Sequence, residues 1–245
     1  MHSEYKNINL DTIIGKTTEG VDVMVKEFFT HAVDVCGWLR AKLTSGAFSD
    51  VFIDQLALSA CRIPLSFGPR CFLVDIHAIY DQIGRLEYTH IHRAAKTKGA
   101  KVFKKEPLKG LWHQHWFQAS FLSKNLILEN ERCGELLIKD RFGTNDAAAL
   151  SGEREVGTNE AGLVAHAMTI DAFVNRVKRS KSGTQGCFTG EWVVFAKMPD
   201  RNIYLTLATH DEDEKEVLRR CVVGVRQFPE LNELAVFKSL ADGEN

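Results

Sequence analysis

Residues 191–210 read EWVVFAKMPDRNIYLTLATH, two runs rich in β-branched and aromatic residues on either side of MPDRN. Such side chains fit the pleated, half-buried surface of a sheet. Proline presets the backbone of a turn, and the polar residues after it supply the tip. The stretch predicts a β-hairpin whose outer ends, Glu191 and His210, come close enough to interact across the paired strands. In a chain whose other strong patterns are helical, this hairpin favours an α+β class over an alternating parallel α/β one. The expected architecture is a helical N-terminal third followed by a small, mainly antiparallel sheet packed by helices.

Working outward, EDEKEVLRRCVVGVRQF (212–228) opens with acids and carries its arginines later, the order that suits a helix macrodipole. Toward the N-terminus, Val21, Val25, Phe28, Ala32, Val35 and Leu39 recur at helical spacing, with Gly46 beyond the last periodic residue. A second helix is predicted after Ser49 or Asp50, ended by Pro64. CFLVDIHAIYDQI (71–83) has Phe72, Ile76, Ile79 and Ile83 at helical spacing and reads equally as opening on a short strand. LEYTHIHRA (86–94) alternates and predicts a strand. Helices are expected over 120–140 and 159–179, joined by a polar loop over 141–160 and followed by a linker at 180–186. Residues 1–18 read as a flexible leader and 19–245 as a single α+β domain, with 19–85 as a helical subdomain.

The totals exclude some classes. A net charge of −1 is not that of a uniformly cationic protein, although local patches are untouched by that sum. The six cysteines, at 36, 61, 71, 133, 187 and 221, include no C-x-x-C pair, and several sit in apolar runs as small hydrophobes. Unpaired thiols, a polar N-terminus without signal character and no apolar run of membrane length predict a cytoplasmic protein that does not enter membranes. No Walker loop, Rossmann fingerprint or nucleophile elbow appears, and no cofactor is expected.

One region concentrates chemistry. Residues 93–110 hold seven lysines or arginines against one glutamate, and His-x-His pairs flank them: His90 with His92, and His113 with His115. On a strand, residues two apart share a face, so each pair presents two imidazoles together. A metal reading is opposed by the surrounding cations and by the lack of a supporting carboxylate. Acid–base chemistry without metal needs only a base, an acid and a cation to steady a phosphorane-like transition state. On that reading His113, His115, His90 and His92 are the catalytic candidates. Arg93, Lys101, Lys104, Lys105 and Lys109 are the phosphate contacts, and Trp112 and Trp116 are the base-stacking surfaces.

The leading expectation is therefore a protein that binds RNA or another polyanion, with metal-independent ribonuclease activity as its enzymatic form. The alternatives are a metalloprotein with His-x-His ligands, or a non-enzymatic module whose basic strip docks an acidic protein partner. The plain structural reading is a solvated basic loop beside a packed aromatic edge with satisfied imidazoles. His31, His77 and His166 sit inside helical patterns and read as structural.

Overall fold

A computed structural model describes residues 9–88, 99–116, 118 and 191–241. The chain divides into two compact units. One comprises Met1–Ala95, Gly99–Trp116 and Glu191–Asn245, the other Lys96–Lys98 and Phe117–Gly190. The described residues belong almost entirely to the first. The helices expected over 120–140 and 159–179, with the loop and linker beside them, lie outside the described residues, as do His90, His92 and Arg93.

The first unit is α+β. Among the described residues its main sheet has five strands, β3 (Ala47–Phe48), β6 (Lys101–Val102), β7 (Trp112–Trp116), β8 (Glu191–Lys197) and β9 (Asn202–Ala208), in the order β3-β9-β8-β7-β6. All neighbours are antiparallel except β3 and β9. The hairpin β8–β9 is the one predicted from residues 191–210. Lys197 faces Asn202 across it, and the Met198 N–H donates to the Arg201 carbonyl at 2.8 Å to close the turn. A bulge near Val194 and Phe195 shifts the register once. At the far end Trp116 faces Glu191, the two residues from which 117–190 departs and to which it returns.

Alternation along β9 divides the core. Ile203 and Leu205 join one cluster with Trp192, Val194 and Ala196 of β8 and with Val217, Leu218 and Cys221 of α4 (Glu214–Val225). Tyr204 points the other way and meets Phe52 of α2 (Asp50–Ala60), ring centroids 6.1 Å apart. Helix α1 (Val25–Lys42) buries Val25, Ala32, Val35 and Leu39. Helix α3 (Ile76–Leu86) buries Ile79 and Ile83 and reaches β7 through Gln82, whose Oε1 accepts from Gln114 Nε2 at 3.2 Å. After α4, a 3₁₀ turn (Pro229–Glu233) and α5 (Ala235–Ala241) extend the first cluster through Leu231, Val236 and Phe237.

Strand β9 pairs with β3 over only two residues, so its next polar backbone groups would face open space. Side chains take them up. Ser49, the N-cap of α2, accepts from the Phe52 N–H and donates its hydroxyl to the Leu205 carbonyl at 2.6 Å. Gln55 Oε1 accepts the Leu207 N–H at 2.8 Å. Arg220 of α4 donates to the Leu207 carbonyl at 3.2 Å and to Thr206 Oγ1 at 3.1 Å. It also grips buried Glu212 with two further bonds of 2.6 and 2.8 Å.

Two sequence expectations shift, and one left open is decided. Residues 13–16, inside the stretch expected as a leader, form β1 (Ile13–Lys16), which pairs with β2 (Asp22–Met24) around a turn at Gly20, φ +83°. The predicted first helix consequently loses Val21, which is exposed, and starts at Val25, with the Glu27 carboxylate accepting the Met24 N–H at 2.8 Å. The segment from Cys71 opens as a strand, β5 (Arg70–Phe72), paired with β4 (Leu65–Phe67), before Asp75 caps α3.

The predicted strand from Leu86 does not begin there. Leu86 ends α3, and Glu87 turns inward to accept from Thr44, Ser45 and Gly46 N–H groups, the Thr44 hydroxyl, Asn202 Nδ2 and the Tyr204 hydroxyl. Tyr88 follows in a left-handed conformation, φ +57°. Six donors converging on one carboxylate outweigh the β-preference of the residues around it.

Candidate functional site

The candidate site grows from β7. His113 lies opposite Val194 and His115 opposite Trp192, so the two imidazoles share a face with the Trp192 indole. Their rings are 5.2 Å apart, edge to face. Two residues past β9, His210 stacks on His115 at 5.3 Å and meets Trp192 edge-on at 4.4 Å. Phe103 covers His113 at 4.5 Å and Trp192 at 5.2 Å. Five rings from four segments thus form one aromatic cluster.

A salt-bridged collar holds its outer end. Glu191, 4% exposed, accepts the His210 N–H at 2.9 Å and an ion-pair contact from Arg70. Arg70 also reaches Asp211 at 3.6 Å and lies over the Phe72 ring. The approach of Glu191 to His210 agrees with the hairpin reading of the sequence.

Of the predicted catalytic residues the structure therefore brings His113 and His115 together, both packed. His115 is 5% exposed and His113 half-buried. Burial first, then the neighbouring His115, His210 and Lys101, lower the His113 pKa to about 4. The imidazole is neutral at neutral pH and a weak proton acceptor there. Its Nδ1 and the Nε1 of Trp192 are buried without a hydrogen-bond partner.

The shift has a consequence for stability. In the unfolded chain His113 titrates near 6.5, in the fold near 4, so between those values the unfolded state binds more protons. Stability is full above pH 6.5 and falls as pH drops toward 4. For a half-buried ring the loss is roughly 1–2 kcal/mol after allowance for solvent screening. Urea denaturation at pH 7.5 and pH 4.5 is expected to show that loss in the wild type and to show it reduced in His113→Phe. Equal pH dependence in the two proteins rules the assignment out.

The predicted phosphate contacts form a ledge. Lys101 faces His113 across β6–β7, and Lys104, Lys105 and Lys109 follow it, all four exposed. The ledge is fastened from beneath by Phe103, Leu108 and Leu111, which enter the core. Its backbone closes through Phe103 N–H to the Leu111 carbonyl at 2.8 Å and Gly110 N–H to the Phe103 carbonyl at 3.1 Å. Gly110 supplies the positive φ, +95°, that this return requires. Glu106 stands 3.6 Å from Lys109.

The two predicted stacking residues separate. Trp112 is partly open, with Lys197 Nζ 5.0 Å above its ring. Trp116 is fully buried, and its ring has no face open to a base. Both point to the sheet face opposite the imidazoles. Among the described residues no three His, Cys, Asp or Glu side chains are placed to hold a metal ion.

Sequence reasoning missed Phe103, Trp192 and His210 as companions of the histidine pair. The hairpin register carried a signal for the last two. Once Trp192 opposes Ala208, residue 210 falls on the same face two positions on.

Among the described residues no helix is long and apolar enough to cross a membrane. No protein-family model matches the chain, and neither a curated protein nor a solved structure does.

Proposed function

We propose that this protein binds RNA, or another phosphate-bearing polyanion, in the cytoplasm through the ledge of Lys101, Lys104, Lys105 and Lys109. The carrying observation is four exposed ammonium groups on one short, anchored segment with a single carboxylate among them. Phosphate contact needs fixed cations and little else, and it yields affinity without sequence preference. Partly open Trp112, on the opposite face of β7, is the stacking residue that stays available. The cytoplasmic setting is supported by Cys36, Cys61, Cys71 and Cys221, all free thiols.

Binding is favoured over cleavage. His115 is buried, and His113 is too weak a base at neutral pH to share the work of an acid–base pair. Edge lysines also discourage strand pairing between molecules, and β6 is an edge among the described strands. That role asks for charge but predicts no affinity for RNA.

Anisotropy of a labelled single-stranded RNA, measured in EDTA across a salt series, separates these readings. Four phosphate contacts give a slope of log K against log salt of roughly −3. Lys101→Glu with Lys104→Glu and Lys105→Glu is expected to weaken binding at least about tenfold at low salt and to flatten that slope. No salt-sensitive binding by the wild type removes the proposal. RNA that is degraded in EDTA, and spared by His113→Ala, replaces it with the ribonuclease reading.

A further inference from the structure

The lysine ledge leaves part of the neighbouring cluster unexplained. The Trp192 indole is 8% exposed, and its Nε1–H, which can only donate, has no acceptor. His113 Nδ1 is likewise buried and unpartnered, on a ring 5.4 Å from the indole. Two orphaned buried nitrogens within one ring cluster are uncommon, because native folds satisfy nearly all such groups.

The surroundings say what kind of partner would suit them. His113 is bordered by His115 of β7, His210 beyond β9 and Lys101 of β6, each of which disfavours positive charge on it. Glu191, the carboxylate at the His210 end, is already occupied by the His210 N–H and by Arg70. The locality is thus rich in donors and in actual or latent positive charge. His210 and Lys101, at two of its borders, are exposed.

We infer that the contact between the His113 and Trp192 rings, 5.4 Å apart, parts to form a nook for one oxyanion, a phosphate group, with the indole Nε1–H and His113 Nδ1–H as its donors and Lys101 at its mouth. The ligand class rests on the polyanion reading above, while the donor pair is independent of it. In an RNA complex the ledge holds neighbouring phosphates and this nook takes one more. A small phosphate ester fills it alone.

The test is a titration of the full-length, ¹⁵N-labelled protein followed at the Trp192 indole and His113 imidazole resonances. Three probes are used: inorganic phosphate, a ribonucleoside monophosphate and a short single-stranded RNA. Phosphate is expected to move the Trp192 indole N–H downfield and to saturate. Binding is reciprocal with protonation, so the His113 titration midpoint should rise by about one pH unit. Trp192→Phe keeps a ring and deletes the donor, and should weaken phosphate binding about tenfold. Should that variant lose its circular-dichroism signature, the wild-type resonances decide alone.

Phosphate that shifts Lys101 to Lys109 but leaves the Trp192 indole unmoved overturns the subsite. If RNA still binds salt-sensitively in that case, the polyanion proposal survives without it. If phosphate or the mononucleotide occupies the nook while RNA does not bind, the subsite stands and its ligand is a small phosphate. If no probe binds, both proposals fall.

Discussion

Replacing Glu87 with alanine is expected to lower the unfolding free energy by about 3–5 kcal/mol in urea denaturation. The carboxylate is 4% exposed and collects donors from two parts of the fold: the chain after α1, and β9 through Asn202 and the Tyr204 hydroxyl, the latter 2.6 Å away. Thr44 and Ser45 are exposed, so their N–H groups recover water when the acceptor goes. Tyr204 is fully buried, and its hydroxyl does not. The loss is therefore smaller than six bonds summed, yet large for one residue.

Glu87→Gln keeps an acceptor and should cost about half as much. Gly46→Ala should resemble it, because a Cβ there would stand 2.6 Å from Glu87 Oε1. Burial pushes the Glu87 pKa up, but the bonds from Tyr204, Thr44 and Asn202 outweigh it and hold the carboxyl below its ordinary 4.5. Its stabilisation is therefore present above that value and lost as pH falls through the lowered one, a more acidic window than that of His113. A Glu87→Ala protein within about 1 kcal/mol of wild type would show that the carboxylate does not hold these segments together.

The second large effect lies at Arg220. Its alanine variant strands Glu212, whose side chain is 2% exposed, and removes donors from Thr206 and Leu207. A loss of about 3–5 kcal/mol follows from the uncompensated buried charge. Lysine should not rescue it, because one ammonium cannot reproduce a two-pronged grip and reach β9 as well. The double change Arg220→Met with Glu212→Leu should recover much of the loss, since it removes both charges and keeps their volume. A double variant as unstable as Arg220→Ala would place the cost in the backbone of β9 and not in the charge.

What the sequence conveyed and what it hid divide along physical lines. The hairpin was legible because residues 191–210 carry their own turn chemistry and β-rich runs, and α2 because Ser49 caps it locally. Strands β3 and β6 are two residues long and exist only through partners ten or more residues distant, so no local pattern marks them. The true course of residues 86–88 was hidden similarly. Tyr88 looks like a strand residue until Glu87 is seen to be drawn under Tyr204. In the candidate site the His113–His115 pair and the exposed lysines could be read directly. Burial of Trp116 and recruitment of His210 depend on which sheet face each residue takes, and register alone decides that.

The pairing of Trp116 with Glu191 has a consequence for the chain's architecture. Residues on adjacent strands stand about 5 Å apart, so everything between these two positions leaves and re-enters through one narrow port. Arg70 and the His210 N–H clamp the return side of that port. The sheet thereby fixes the distance between the two ends whatever is spliced there, and doubling the spliced length adds only about 0.6 kcal/mol of closure entropy.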